Sequence, residues 1–122
     1  MRFAFRSTLF ALAASTLASM ALAYPAKMQD GVLANDAGMT LYTFDKDAAG
    51  KSACNGPCAG NWPPLMATAD AKASGDWSIV TRDDGGKQWA YKGKPLYTWS
   101  KDTKPGDMTG DGFNSVWHVA KG

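Results

Sequence analysis

The chain has 122 residues, with 13 Lys and Arg, 11 acidic residues that are all aspartate, and a formal net charge of +2. Because two of the basic residues lie in a predicted leader, the rest is formally neutral, and nucleic-acid binding has no electrostatic support. About a hundred residues after the leader suffice for one domain, and the many Asp and Gly residues indicate tight turns between short segments rather than long helices.

The first 23 residues have the pattern of a cleavable signal peptide. Arg2 and Arg6 form a basic start, an apolar run extends from Leu9 to Leu22, and Ala21-Leu22-Ala23 supplies a small-x-small cleavage site. We therefore predict cleavage before Tyr24 and a periplasmic or secreted protein. The run is too short and too rich in Ser and Thr for a membrane span. No cysteine follows the cleavage point to be acylated, so we expect no stable membrane anchor after signal cleavage.

The following residues, 24–122, predict a single all-β domain, a meander of short antiparallel strands with little helix. The predicted strands are 31–34, 39–44, 77–81, 88–91, 96–99 and 113–119. Turn sequences at 35–38, 83–86 and 92–95 separate them. The Ala-rich stretch 66–74 is expected to be a weak helix or a loop that joins the two halves of the domain.

An internal duplication is the strongest feature of the sequence. Residues 38–47, GMTLYTFDKD, align without gaps with residues 93–102, GKPLYTWSKD, at an offset of 55 residues. Trp62 falls on Trp117 in the same register. We interpret these passages as two structural repeats, about 31–65 and 86–120, that pack against each other.

Each repeat contains a Leu-Tyr-Thr-aromatic run followed by an aspartate. Side chains alternate along a strand, so Tyr42 and Phe44 share one face of the first strand, and Tyr97 and Trp99 share one face of the second. These aromatic residues could form a stacking platform for a ligand, but a protein this small needs them in its core, which is the interpretation that we favour. Asp47 and Asp102 follow where the chain turns, and we expect their carboxylates to accept backbone N–H groups there.

These motifs carry a resemblance to a known family. Tyr42-x-Phe44-x-x-Asp47, Tyr97-x-Trp99-x-x-Asp102 and the block CNGPCAGNWPPL, residues 54–65, resemble the bacterial secreted-repeat family of unknown function, also described as predicted lipoproteins with a Tyr-x-aromatic-x-x-Asp motif. The resemblance implies an extracytoplasmic location and a repeat architecture, and it implies no reaction. This chain departs from the lipoprotein description in having Tyr24, not cysteine, after the predicted cleavage site.

The cysteine pair has two interpretations. Cys54 and Cys58 are the only cysteines, and in an oxidising compartment they predict one disulfide, which constrains the unfolded chain by about 2 kcal/mol because the loop is short. The alternative is a thiol-redox or copper site, since paired thiolates bind Cu(I) and His118 could be a further ligand. The second repeat has no cysteine at the corresponding positions, so the bridge serves the first repeat alone.

We predict a non-enzymatic binding or envelope-associated module. The chain has no Gly-x-Ser-x-Gly nucleophile motif, no phosphate-binding glycine motif and one histidine. Its expected partner is an envelope protein or a small ligand rather than nucleic acid, and no cofactor is expected beyond the copper alternative. The alternative function is a periplasmic thiol-redox or copper-binding protein that uses Cys54 and Cys58.

Overall fold

The computed structural model describes residues 25–122. The predicted signal peptide over residues 1–23 and its cleavage site before Tyr24 lie outside this range. Within it the protein is all-β, as predicted, and its helices are α1, Pro57–Asn61, and a single 3-10 turn, Phe113–Ser115. No helix in residues 25–122 is long and apolar enough to cross a membrane.

Short antiparallel strands form three small sheets in the described residues. The strands are β1 Ala26–Gln29, β2 Val32–Asn35, β3 Tyr42–Phe44, β4 Trp77–Thr81, β5 Lys87–Tyr91, β6 Lys94–Pro95 and β7 Trp117–Val119. β1 pairs with β2, β3 pairs with β7, and β4, β5 and β6 form the three-stranded sheet in that order. The sequence pattern did not indicate β1, because this exposed edge strand lacks the apolar alternation that marks a half-buried strand.

Three other expectations differ from the structure. The turn expected over 92–95 ends at Gly93, because Lys94–Pro95 form β6, and in the predicted strand 96–99 Tyr97 makes isolated bridges rather than a continuous ladder. The predicted last strand over 113–119 begins only at Trp117, because Gly112, Asn114 and Ser115 adopt left-handed backbone conformations that a strand cannot include. The turn expected between the cysteines leads directly into α1, which Pro57 can start because the first turn of a helix needs no N–H from that residue.

The structural halves of the domain are not the sequence repeats. Unit one consists of β1, β2 and β3 completed by β7 from the second repeat. Unit two consists of β4, β5 and β6 completed by residues 62–66 from the first repeat, through the Pro64–Tyr97 and Met66–Gln88 bridges. Each repeat therefore gives its last segment to the other half of the domain.

Matching rings of three backbone hydrogen bonds fix these completing segments in place. In unit one, Leu33 N donates to Ala120 O, Ala120 N to Leu41 O, and Leu41 N to Leu33 O, at 2.8 to 2.9 Å. The corresponding ring in unit two joins Trp89, Leu65 and Leu96, at 2.8 to 3.0 Å. The pseudo-twofold axis that relates the units passes between Tyr42 and Tyr97, whose backbones exchange two hydrogen bonds of 2.7 and 3.0 Å.

The alternation predicted for the motif strand divides the core in two. Tyr42 belongs to an aromatic cluster with the following partners: Cys54, Trp62, Tyr97, Trp99 and Trp117. Its neighbour Leu41 belongs to an aliphatic cluster with Leu33, Leu96 and Ala120. Successive residues of one strand thus face two separate cores, so the motif strand is buried on both faces.

Candidate functional site

The tyrosine of each motif is bonded to the aspartate of the other motif. Tyr42 Oη donates to Asp102 Oδ2 at 2.7 Å, and Tyr97 Oη donates to Asp47 Oδ2 at 2.7 Å. Both tyrosines are fully buried. The two copies of the motif therefore form one reciprocal structure rather than two independent sites.

The second oxygen of each carboxylate holds a loop, as predicted for these turn residues. Asp47 Oδ1 accepts the Ala53 N–H at 2.6 Å, and Asp102 Oδ1 accepts the N–H and hydroxyl of Thr109 at 3.0 and 2.6 Å. Burial raises the pKa of Asp47, and the bonds from Ala53 and Tyr97 act in the opposite direction. Each carboxylate thus joins a tyrosine of one repeat to a loop of the other.

The remaining motif residues form a continuous stack of rings. Trp62 and Trp117, the pair matched by the sequence offset, lie parallel with ring centroids 3.8 Å apart. Trp99 stacks on Trp62 at 4.0 Å and Phe44 stacks on Trp117 at 4.2 Å. These rings are core rather than an exposed platform, as the size of the protein led us to favour.

Alkaline destabilisation is one measurable consequence of the buried tyrosines. Burial and the neighbouring carboxylates raise the pKa values of Tyr42 and Tyr97 above the usual value of about 10. A raised pKa in the folded state contributes stability that is present below the unfolded pKa and lost as the pH rises above it. We expect the free energy of unfolding to fall above about pH 10, by up to about 1.4 kcal/mol per pH unit for each tyrosine.

Urea denaturation between pH 8 and pH 12 tests this expectation. Tyr42→Phe and Tyr97→Phe should each reduce the slope of stability against pH above about pH 10. Tyr91→Phe is the matched control, because Tyr91 belongs to no tyrosine–aspartate pair of the motif. An unchanged slope in both motif variants would show that the two hydroxyls ionise as freely in the fold as in the unfolded chain.

A buried arginine links the cysteine loop to unit two. The Arg82 guanidinium donates from Nη1 to Ser52 Oγ at 3.0 Å and Gln88 Oε1 at 2.9 Å, and from Nη2 to Cys54 O at 2.8 Å. Its Nε has no hydrogen-bond partner in residues 25–122 and lies 3.6 Å from Asp84 Oδ2. Ser52 Oγ is in turn 2.6 Å from Tyr97 Oη, so this network reaches the motif pair.

The predicted disulfide between Cys54 and Cys58 is confirmed, with Cα atoms 5.2 Å apart. His118 Nε2 lies 2.9 Å from Asp45 Oδ2, and both side chains are about half exposed. No group of three or more His, Cys, Asp or Glu side chains in residues 25–122 is placed to hold a metal ion, so Cys54, Cys58 and His118 do not form such a group.

A groove opens beside β3, where its pairing with unit two stops. Two adjoining cavities of about 270 and 290 Å³ share Thr43, Asp45, Lys92 and Lys94 as lining residues. The cavity of about 270 Å³ is also lined by Phe44, Asp47 and Pro95. The cavity of about 290 Å³ is also lined by Tyr91, His118 and Lys121. Pro95 has no N–H to donate, which favours an opening rather than a continuous ladder at this point.

The comparison with protein families matches both repeats. The family described as a secreted repeat of unknown function matches residues 26–66 and again residues 78–121. The chain belongs to this secreted-repeat family. No curated protein and no solved structure compared with the chain matches it.

The two units of this secreted repeat differ at one pair of equivalent turns. Gly38 and Gly93 correspond at the offset of 55 residues and have φ values of +84° and +83°. A Cβ atom on Gly38 would lie 3.0 Å from the Pro105 side chain, whereas a Cβ atom on Gly93 would meet nothing within 4 Å. Each turn accepts a backbone N–H from the loop beside it, from Gly106 at Gly38 and from Gly50 at Gly93, but only the Gly38 turn is also covered by a side chain, that of Pro105.

Sequence reasoning found the motif residues but missed three features of this secreted repeat. It did not pair each tyrosine with the aspartate of the other repeat, because alternation along a strand predicts which face a side chain lies on but not which segment packs against that face. It did not single out Arg82, because an arginine beside a hairpin turn is normally exposed and its sequence position gives no sign of burial. It also missed the groove, for which Lys at the first turn position of Lys92-Gly93 was an available signal.

Proposed function

We propose that the chain is an extracytoplasmic, non-enzymatic binding module that takes an anionic group of an envelope molecule in the groove beside β3. The observation that carries this proposal is the difference between the equivalent turns at Gly38 and Gly93. The two turns are equivalent in the duplicated fold, and the Pro105 side chain covers Gly38, whereas a Cβ atom on Gly93, between Lys92 and Lys94, would meet nothing within 4 Å.

The charges of the groove support an anionic ligand. Lys92, Lys94 and Lys121 line it together with two carboxylates that already have partners: Asp45 lies 2.9 Å from His118 Nε2, and Asp47 accepts bonds from Tyr97 and Ala53. Three lysines against two engaged carboxylates leave a small local excess of positive charge. Tyr91 and Leu96 contribute apolar surface to the groove. Ligand sites commonly combine such apolar surface with a few polar groups that orient the ligand.

The backbone of Lys92 gives a second line of support. Lys92 and Gly93 form the two-residue turn between β5 and β6, with φ values of +52° and +83°. Such turns favour Asn, Asp or Gly at the first position, because other side chains are strained there. A lysine held in this conformation at the rim of a groove supports a functional role for its charge.

A charge-removal experiment tests the proposal. We expect inorganic polyphosphate and oligogalacturonate to bind the purified protein in calorimetry, with an affinity that falls as sodium chloride is added. Lys92→Asn keeps a favourable turn residue, and together with Lys94→Gln it should weaken binding by about tenfold or more.

The matched control is Lys101→Asn with Lys104→Gln, which removes the same charge at exposed positions beside the covered turn. This control should bind both probes like the wild type. Equal losses in the two double variants would show a diffuse charge effect, and no binding of either probe to the wild type would overturn the anionic site.

A further inference from the structure

The chain passes twice between unit one and unit two, and the two passages differ. The first is residues 45–61 and the second is residues 100–116, again at the offset of 55 residues. The first passage contains the Cys54–Cys58 disulfide and α1, and Arg82 holds it through Cys54 O. The second passage contains no cysteine and leads directly into β7.

The second passage is strained just before it enters unit one. Asn114 and Ser115 have φ values of +51° and +62°, in the left-handed region that Asn adopts readily and Ser rarely does, so the strain falls on Ser115. Both residues are exposed, and Phe113 beside them is 40% exposed. Short strained hinges of this kind favour exchange of the following segment between molecules.

The segment that follows is the one that completes unit one. β7 pairs with β3 through Tyr42–Val119, Thr43–His118 and Phe44–Trp117, and Ala120 closes the ring of backbone bonds with Leu33 and Leu41. These contacts all join β7 to unit one, whereas the chain reaches β7 from unit two through the second passage. In a strand exchange β7 of a second molecule offers the same side chains and backbone groups for these contacts.

From these observations we infer that two copies of the chain associate by exchanging β7, with Asn114 and Ser115 as the hinge. Exchange breaks the Gly112 N to Trp117 O bond and the Val119 N to Asp111 Oδ1 bond of the tight turn and releases its left-handed residues. It keeps the pairing of β7 with β3 and the stack of Trp117 on Trp62. The first passage opens less readily, because Arg82 of unit two holds it through Cys54 O and the disulfide shortens its flexible length. This inference does not depend on the groove or its ligand.

Light scattering after size-exclusion chromatography measures the association. We expect a dimer whose fraction rises with protein concentration and after refolding at high concentration. Asn114→Gly with Ser115→Gly relieves the strain of the closed monomer and should raise the dimer dissociation constant by about tenfold. Asp30→Gly is the matched control, because Asp30 is left-handed at φ +55° in a turn that is the same in monomer and dimer.

Cross-linking identifies the exchanged strand. Thr43 and His118 are direct partners across β3 and β7, so a mixture of Thr43→Cys and His118→Cys proteins should give a disulfide-linked heterodimer on a non-reducing gel. Circular dichroism of each single variant confirms that it is folded. A dimer without this cross-link would overturn exchange and indicate a surface contact, and a monomer at every concentration would overturn the association itself.

Discussion

We expect Tyr97→Ala to lower the free energy of unfolding by about 3–5 kcal/mol. Tyr97 is fully buried, and its ring lies edge-on to Trp117 with centroids 5.1 Å apart. Its hydroxyl bonds Asp47 and Ser52, so the alanine variant loses both the ring and a donor to a half-buried carboxylate. Tyr97→Phe keeps the ring and should cost only about 1–3 kcal/mol, as expected for one unsatisfied buried group.

Urea denaturation followed by circular dichroism measures both variants, and Tyr42→Ala should behave like Tyr97→Ala because the units are equivalent. Double-mutant cycles then test the reciprocal pairing itself. Tyr97→Phe should couple with Asp47→Asn by about 0.5–3 kcal/mol and be additive with Asp102→Asn. Wild-type stability in both alanine variants would show that the rings face solvent and would revive the stacking platform as a binding site.

We expect Arg82→Met to cost about 3–5 kcal/mol, the second large effect. The side chain of Arg82 is 2% exposed, and its loss leaves Cys54 O and Gln88 Oε1 without a donor. Methionine fills much of the volume, so the loss of stability reports on the hydrogen bonds rather than on a cavity. Thermal unfolding at neutral pH measures the difference.

Lys51→Met is the matched control for the arginine. Lys51 Nζ pairs with Asp83 Oδ1 at 2.9 Å, but the side chains are 64% and 59% exposed. An ion pair this exposed contributes at most about 1 kcal/mol, so the control should melt close to the wild type. Equal costs for Arg82→Met and Lys51→Met would mean that the buried network adds no more than a surface pair.

The sequence predicted the fold class, the duplication and the disulfide because each depends on local pattern. Alternation placed Tyr42 and Leu41 on opposite faces, and the structure puts them in separate cores. Hairpin turn residues located β4 and β5 to within a residue. Compartment and spacing together indicated the Cys54–Cys58 bridge.

The candidate site was less predictable because it depends on which segments meet. The match of Trp62 to Trp117 showed that two positions are equivalent, but not that the two rings stack on each other across the pseudo-twofold axis. Strand register between distant segments follows from the whole fold, so the exchange of completing segments between repeats had no local signature. The groove lies beside the Gly93 turn, which no side chain covers, and an alignment of the shared motif does not show how the neighbouring loop packs on each turn.

The reciprocal bonds between Tyr42 and Asp102 and between Tyr97 and Asp47 make the two repeats depend on each other. In this arrangement a single copy of the motif holds a tyrosine and an aspartate that do not satisfy each other, so one copy by itself would need a second copy to complete both bonds. In the present chain the contact between the two copies is internal, so the loss of either aspartate removes a partner from the tyrosine of the other repeat.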